Sequence, residues 1–303
     1  MLKIGLIGAE SFHATAFAKL ARLAPEQGGS RQPARITCLW GEDAGNARAL
    51  AEAGGIPAIV QDPQQMLGQV DAVMIVLRRG SAHLAAARPF LQAGLPVWVD
   101  KPMACPAQQV AELVALARQG GALLDGGSAC AEAGGVAVLR DACRRMRQAD
   151  TLLSAHLNFP AEIDGPYDGL YFYGAHTVEL LRAIFGADVQ SVVVDRNGNS
   201  LIGLFHYPGF TVSVDFAQAS RFYATLYGGR MVLTQPIAID AIYRPAFEHF
   251  VERVRGQRPP LPPSRFLTAA AILDALVLAA HTGTCCAVKR LEAPTEGTAS
   301  EHF

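Results

Sequence analysis

The chain has 303 residues, half of them apolar, and a net charge of −1. That length suits two hydrophobic cores better than one, and the composition is that of a globular protein. No stretch is rich enough in Lys and Arg to expect nucleic acid or an acidic membrane as a partner. In chain order, residues 2–7 (LKIGLI) read as a buried strand that enters structure at once. This opening is too short for a signal peptide. No apolar run is read as reaching the roughly 18 residues a membrane span needs, so a cytoplasmic protein is expected. Residues 13–23 follow as a helix, with Phe17, Leu20 and Ala21 on one face, and 25–33 as a Gly/Pro/Gln loop. A second strand is predicted over 35–40 and a second helix over 44–53. The run 70–77 (VDAVMIVL) is almost continuously apolar, as in a parallel strand covered on both faces. A helix over 81–93 ends at Gly94. A strand over 96–99 then runs into Asp100-Lys101-Pro102, and a helix over 108–118 precedes a short strand at 122–124.

Strands alternating with helices of this length predict a doubly wound parallel sheet with right-handed crossovers. Residues 1–125 are therefore assigned to a Rossmann-type dinucleotide-binding domain. After residue 126 the rhythm changes. A helix over 136–147, a strand over 151–159, a polar loop over 160–169 and a helix over 174–185 lead into four strand-like runs. These runs, near 189–195, 201–207, 211–216 and 222–227, are separated by Asn197-Gly198-Asn199, Pro208-Gly209 and the like, which predicts an antiparallel meander. Helices over 243–254 and 266–283 close the chain, split by Arg258-Pro259-Pro260-Leu261-Pro262-Pro263. The expected layout is α/β followed by α+β with an open antiparallel sheet. The second domain runs over 126–290 and a loose tail over 291–303. Val212, Val214 and Phe216 alternate with polar neighbours, so one face of the sheet is apolar. Either a second copy of the sheet or the chain's own helices must cover it. The first option makes a homodimer, or a homotetramer as a dimer of dimers.

The six cysteines, at 38, 105, 130, 143, 285 and 286, form no CxxC pair and no cluster with His at metal spacing. Reduced, mostly buried thiols are expected. In such a pair of domains a ligand belongs at the carboxyl ends of the parallel strands, in the crevice facing the second domain. The first strand-turn-helix is Gly8-Ala9-Glu10-Ser11-Phe12-His13. A helix N-terminus there offers amides to a phosphate, yet of the usual G-x-G-x-x-G only Gly8 remains. Glu10 stands where backbone should approach a pyrophosphate, and a carboxylate there is unfavourable unless it points away. After the second strand an acid is expected to hold ribose hydroxyls, but the position is Gly41. Glu42 either substitutes for that acid or, with Asp43, caps the next helix. Lys101, placed directly after a buried strand, is either a proton donor or acceptor held by Asp100, or a lysine at a strand exit. His176 and Glu179 share a helix face. The pair suits proton transfer, or His176 is a satisfied structural residue. A metal is not expected, because no third ligand is apparent.

Taken together, these segments resemble the glucose–fructose oxidoreductase / inositol dehydrogenase / MocA (Gfo/Idh/MocA) family over nearly the whole chain. The likeness is carried by Ile4-Gly5-Leu6-Ile7-Gly8, by Val70-Asp71-Ala72-Val73, and by His83 with Ala93-Gly94-Leu95-Pro96-Val97. Asp100-Lys101-Pro102 is similar to the family's Glu-Lys-Pro, and Gly174-x-His176-x-x-Glu179 to its Gly-x-His-x-x-Asp helix. Phe247-x-x-Phe250-Val251 with the Pro-rich sequence after it is similar to the closing region. The resemblance implies NAD or NADP as cofactor, contacted by Gly8, Glu10, Ser11, Phe12, His13, Glu42, Leu77, His83 and Lys101. It implies a sugar-, cyclitol- or polyol-like substrate that exchanges a hydride with the nicotinamide. Lys101 and His176 take the catalytic positions, and Asp100, Tyr173, Glu179 and Asp168 the substrate contacts. Phe172 stands where many dehydrogenases of the family carry Asp. Two other readings stay open: a non-catalytic ligand-binding regulatory protein of the same fold, and a non-redox enzyme that uses a bound dinucleotide transiently.

Overall fold

A computed structural model describes residues 1–198, 200–219 and 221–292. The chain divides into two compact units. One is Met1–Gly126 with Phe247–Leu267, the other Gly127–Ala246 with Thr268–Lys289.

The first unit alternates as its apolar runs require. In order, β1 (Leu2–Ile7), α1 (Phe12–Arg22), β2 (Ala34–Trp40), α2 (Ala44–Gly54), β3 (Ala58–Ile59) and β4 (Ala72–Ile75) are followed by α3 (His83–Gln92), β5 (Val97–Val99), α4 (Ala107–Gly120) and β6 (Leu124–Gly126). The six strands pair in parallel in the order β3-β2-β1-β4-β5-β6. This is the Rossmann order, which reverses direction between β1 and β4. Polar side chains start the helices: Ser11 Oγ accepts from Ala14 N–H at α1, and Asp43 Oδ1 from Asn46 N–H at α2. β4 is buried at all four positions, as its unbroken apolar run demands.

The second unit opens with α5 (Val136–Gln148), β7 (Leu152–Asn158) and α6 (Leu170–Phe185). It continues through β8 (Ser191–Asn197), β9 (Ser200–Tyr207), β10 (Phe210–Asp215), β11 (Phe222–Gly228) and β12 (Val232–Ile237). The chain closes with α7 (Tyr243–Val254), α8 (Pro263–Thr282) and β13 (Cys286–Ala287). The sheet order is β12-β11-β7-β10-β9-β8-β13.

Four differences from the sequence reading have physical causes. The sheet is mixed rather than antiparallel throughout, because β7 inserts between β10 and β11 and runs parallel to β10. Alternation gives a strand its face but not its neighbour. The apolar face is not left open. Val212 and Val214 have no exposure and Phe216 only 4 %. α5 packs on β7, β11 and β12, and Phe185 of α6 meets Tyr207 and Phe210. The argument for a homodimer from an uncovered apolar face therefore fails. The closing region is shared between the units: Phe247 stacks on Phe17 and Phe250 meets Trp98 edge-on, drawing residues 247–267 into the first unit. Finally, Pro263–Thr282 is long and apolar enough to cross a membrane, contrary to the expectation that no run is. Half of its most apolar window is buried in the protein, where Ile272, Leu276 and Ala279 have no exposure, as in a core helix.

All six cysteines are free and five are buried. The tail expected over 291–303 lies, from residue 293 on, outside the described residues, as does Asn199 of the expected turn.

Candidate functional site

The switch point of the first sheet gathers most of the residues expected to meet a cofactor. Gly8 leaves β1 at φ +110, a conformation that disfavours a side chain, and a Cβ there would lie 3.0 Å from Leu77 N and Val76 O. The β1–α1 turn thus passes against the β4 exit with hydrogen-atom clearance, which explains why this one glycine of the fingerprint remains. Leu77 belongs to that close approach through its backbone. Ser11 is spent on capping α1, and Phe12, the first helical residue, is 71 % exposed. Glu10 is turned toward the β2–α2 turn. Its Oε2 accepts from Ala9 N–H at 2.8 Å and its Oε1 from Asp43 N–H at 3.1 Å. Glu42 is exposed, and Asp43 alone caps α2.

His13 stands where the fingerprint has its last glycine, and it has a use there. Its Nδ1 lies 2.5 Å from Asp100 Oδ2, joining the start of α1 to the exit of β5. Burial alone would push the Asp100 carboxyl up. His13, then Lys101 and His83, outweigh that and hold it below the ordinary carboxylate range. Asp100 is thus an ionised anchor, only 4 % exposed, beside His13 and Lys101. Lys101 itself is 3 % exposed, so it is not a surface lysine.

His83, expected among the cofactor contacts, is placed otherwise. It has no exposure, with Nδ1 2.7 Å from Pro102 O and Nε2 3.0 Å from Leu77 O. Its ring ties the Lys101-Pro102 loop to the β4 exit. Burial holds its pKa below the usual histidine value, so the ring is neutral at pH 7. A cavity of about 490 Å³ in this unit, lined by Val114, Leu124, Pro260 and Phe266 among others, contains none of these residues.

In the second unit α6 begins at Leu170, one turn earlier than the sequence suggested, after Asp168 at φ +58. His176 is buried, and its Nδ1 lies 2.7 Å from Ser128 Oγ and 3.4 Å from Cys130 Sγ. Glu179 has a cationic partner on its own helix that the face shared with His176 did not suggest. Its Oε2 accepts from Arg182 at 2.9 Å, both side chains being largely buried. Tyr173 stands half-buried with its ring 6.2 Å from that of His176. Ser128, Cys130 and Arg182 were missed. Ser128 and Cys130 lie some 46–48 residues before their histidine, a separation no local pattern marks. Arg182, at i+3 from Glu179, was legible by helix spacing.

The first unit has the fold and switch-point geometry of a nucleotide-binding α/β domain. Residues 2–127 match the family model described as "Oxidoreductase family, NAD-binding Rossmann fold", so this segment is similar to the Gfo/Idh/MocA family. Sequence comparison with curated proteins finds no match. Among solved structures the chain is similar to a myo-inositol dehydrogenase from Lactobacillus casei in complex with NAD(H) and myo-inositol. That likeness has a TM-score of 0.79 at 15 % identity and covers 97 % of this chain and 99 % of that one. A putative myo-inositol dehydrogenase from Sinorhizobium meliloti 1021 gives 0.76 at 16 % identity, covering 95 % and 100 %. A probable dehydrogenase from Thermotoga maritima gives 0.78 at 14 %, covering 95 % and 99 %. At these identities the likeness is one of fold, and it extends over both units.

Proposed function

We propose that the chain is an NAD(P)-dependent oxidoreductase acting on a CH–OH group of a sugar-, cyclitol- or polyol-like substrate. The observation that carries this reading is Lys101. It is buried at the exit of a parallel strand beside an ionised Asp100, in a unit of an NAD-binding family. The residues of the switch point fit a dinucleotide. Gly8 leaves no room for a Cβ, and α1 starts directly after the turn, where the first helical amides lack intrahelical acceptors. Gly8, Glu10, Ser11, Phe12 and His13 would line the dinucleotide. A dinucleotide held there would supply hydride exchange at its nicotinamide.

The chain's own residues handle the proton. Lys101, beside the ionised Asp100, would hold the substrate oxygen or pass it a proton. In the second unit, Ser128 Oγ accepts from Cys130 N–H at 3.1 Å, which leaves its own proton for His176 Nδ1. Cys130 Sγ approaches the same nitrogen. With Ser128 and Cys130 donating to Nδ1, the ring proton would lie on Nε2 and His176 would donate through that atom. Asp168 and Tyr173 are the proposed substrate contacts that precede it in the chain. Asp100 acts through Lys101, and Glu179 through its ion pair with Arg182.

The polyol class is supported by the inositol dehydrogenases that share the fold. A cytoplasmic location suits six unpaired cysteines. A homodimer would now use the outward face of the second sheet. Register puts Ile202 beside Asp215, Tyr223 beside Asn158 and Val232 beside Tyr227 on that face, and Ile202, Tyr223, Tyr227 and Val232 are all exposed.

The test pairs two measurements on wild type and Lys101→Ala: NADH binding by calorimetry, and reduction of NAD⁺ with a panel of polyols. Loss of turnover with NADH binding kept is the expected result. A wild type that binds NADH and turns over no polyol, sugar or cyclitol would refute the substrate class. A Lys101→Ala protein with undiminished turnover would refute the role of Lys101, and a pure binder would show neither effect.

A further inference from the structure

The first unit lacks an acid at the end of β2 and has one where an acid is unwelcome. Both oddities have the same geometry behind them. Rossmann folds commonly hold the adenosine ribose of NAD through a carboxylate at the end of the second strand. That position is Gly41. A Cβ built on Gly41 would lie 2.8 Å from Ala9 Cβ and 3.2 Å from Glu10 Oε1. The space a side chain at 41 would need is therefore taken by the β1–α1 turn and its carboxylate. Glu10 is fixed there by two backbone amides, Ala9 N–H on Oε2 and Asp43 N–H on Oε1. The second of these amides belongs to the β2–α2 turn itself. The carboxylate thus stands at the exit of β2 although its backbone belongs to the exit of β1.

We infer that Glu10 is the ribose-binding carboxylate of this chain and that it selects NAD(H) over NADP(H). This rests on the reading of the first unit as a dinucleotide site. A carboxylate offers roughly four lone-pair directions. The two amides occupy two and pin the group in place. Two remain for donors, which matches a ribose 2′,3′-diol. The residue is half-buried, so a ligand can reach it. A phosphate ester on the 2′-oxygen removes one donor and sets about −1.5 to −2 charges against the carboxylate. Glu42, the other candidate, is exposed one residue further on. The same placement accounts for a carboxylate in the phosphate-binding turn, because it is drawn toward the β2 exit.

The experiment is calorimetric titration of the full chain with NADH, NADPH and 2′-deoxy-NADH, on wild type, Glu10→Gln and Glu42→Gln. Wild type is expected to favour NADH over NADPH, and over 2′-deoxy-NADH, by at least about tenfold. Glu10→Gln should narrow both ratios severalfold, chiefly by weakening NADH, while Glu42→Gln keeps them. Gln retains an oxygen for one of the two amides, and a melting curve checks that the variant is folded. The 2′-deoxy comparison reads the contact on unaltered protein. NADH binding with no preference over NADPH, ratios unchanged in Glu10→Gln, ratios lost in Glu42→Gln, or tighter NADH binding in Glu10→Gln would each overturn the assignment and leave the dinucleotide reading standing. Binding of none of the three ligands to wild type would overturn both.

Discussion

Removing the guanidinium of Arg253 should destabilise the first unit, and should do so more at high pH. Arg253 Nη1 lies 2.8 Å from Asp125 Oδ2, with the side chains 9 % and 1 % exposed. Asp125 is the middle residue of β6, the last strand of the parallel sheet, and Arg253 comes from the returning helix α7. Burial pushes the Asp125 carboxyl up, and Arg253 is the largest of the influences that oppose it. Breaking such a pair from one side leaves an uncompensated charge and costs about 3–5 kcal/mol. Gly126 N–H still donates to Asp125 Oδ1 at 2.7 Å, and the charge of Arg265 still acts on the carboxyl. The lower end, about 3 kcal/mol, is therefore expected for Arg253→Met. For a unit of this size that is roughly 6–12 °C in melting temperature.

The carboxyl in the variant stands higher still. Between the ordinary Asp value near 3.9 and that raised value, the folded state keeps a proton that the unfolded state has lost, so stability falls as pH rises through the window. The penalty should be smaller at pH 5 than at pH 8. Both tryptophans, Trp40 in β2 and Trp98 in β5, lie in this unit, so urea unfolding followed by fluorescence reports on it. The double variant Asp125→Asn/Arg253→Met should recover at least half of the loss, since no net charge is left buried. A single variant within about 1 kcal/mol of wild type at pH 8 would refute the reasoning, because exposed pairs contribute that little.

Three other outcomes are expected. His83 is neutral and buried in the fold but titrates near 6.5 when unfolded, so the unfolded state binds more protons below that pH. Stability should drop by up to about 1.4 kcal/mol per pH unit on acidification, and His83→Gln should flatten this slope in urea unfolding at pH 5.5 and 7.5. Gly8→Ala should lower stability by roughly 1–3 kcal/mol, the cost of a side chain at φ +110 with backbone at 3.0 Å, and should weaken NADH binding in calorimetry. Ser128→Ala should leave NADH binding intact and lower kcat by about tenfold, the worth of one hydrogen bond to a ring. Nitrogen NMR should then show mixed tautomers of His176, and an unchanged spectrum would refute its positioning role.

The sequence exposed those parts of the fold that depend on local pattern. β1 and α7 match their expected spans, and α1 and α2 lie within a residue or two of theirs, because apolar spacing and the caps Ser11 and Asp43 act within one element. Partner choice between distant strands did not show. Nothing in residues 152–158 says that they pair in parallel with residues 211–215, and the strand at 232–237 escaped notice because its alternating residues are exposed. The closing region was misassigned for the same reason. Its aromatic residues read as a core stripe, but which core they join is decided by Phe17 and Trp98, more than 140 residues earlier.

The candidate site divides along the same line. Lys101 was legible because a strand and its exit are adjacent in sequence. The eroded glycine fingerprint read as a loss, yet both of its substitutions have partners brought by the sheet. His13 meets Asp100 at the exit of β5, and Glu10 meets Asp43 at the exit of β2. Parallel strands bring every carboxyl end to one edge, so a side chain missing at one exit can be replaced from the exit beside it. Gly41 and Glu10 are then one feature seen at two places in the sequence. A return to the usual arrangement needs both changed together, since a side chain at 41 collides with the turn that carries Glu10. Gly41→Asp alone should therefore destabilise the first unit in urea unfolding, and Gly41→Asp with Glu10→Ala should regain part of the loss. Equal stability of the single and double variants would separate the two positions and undo this account.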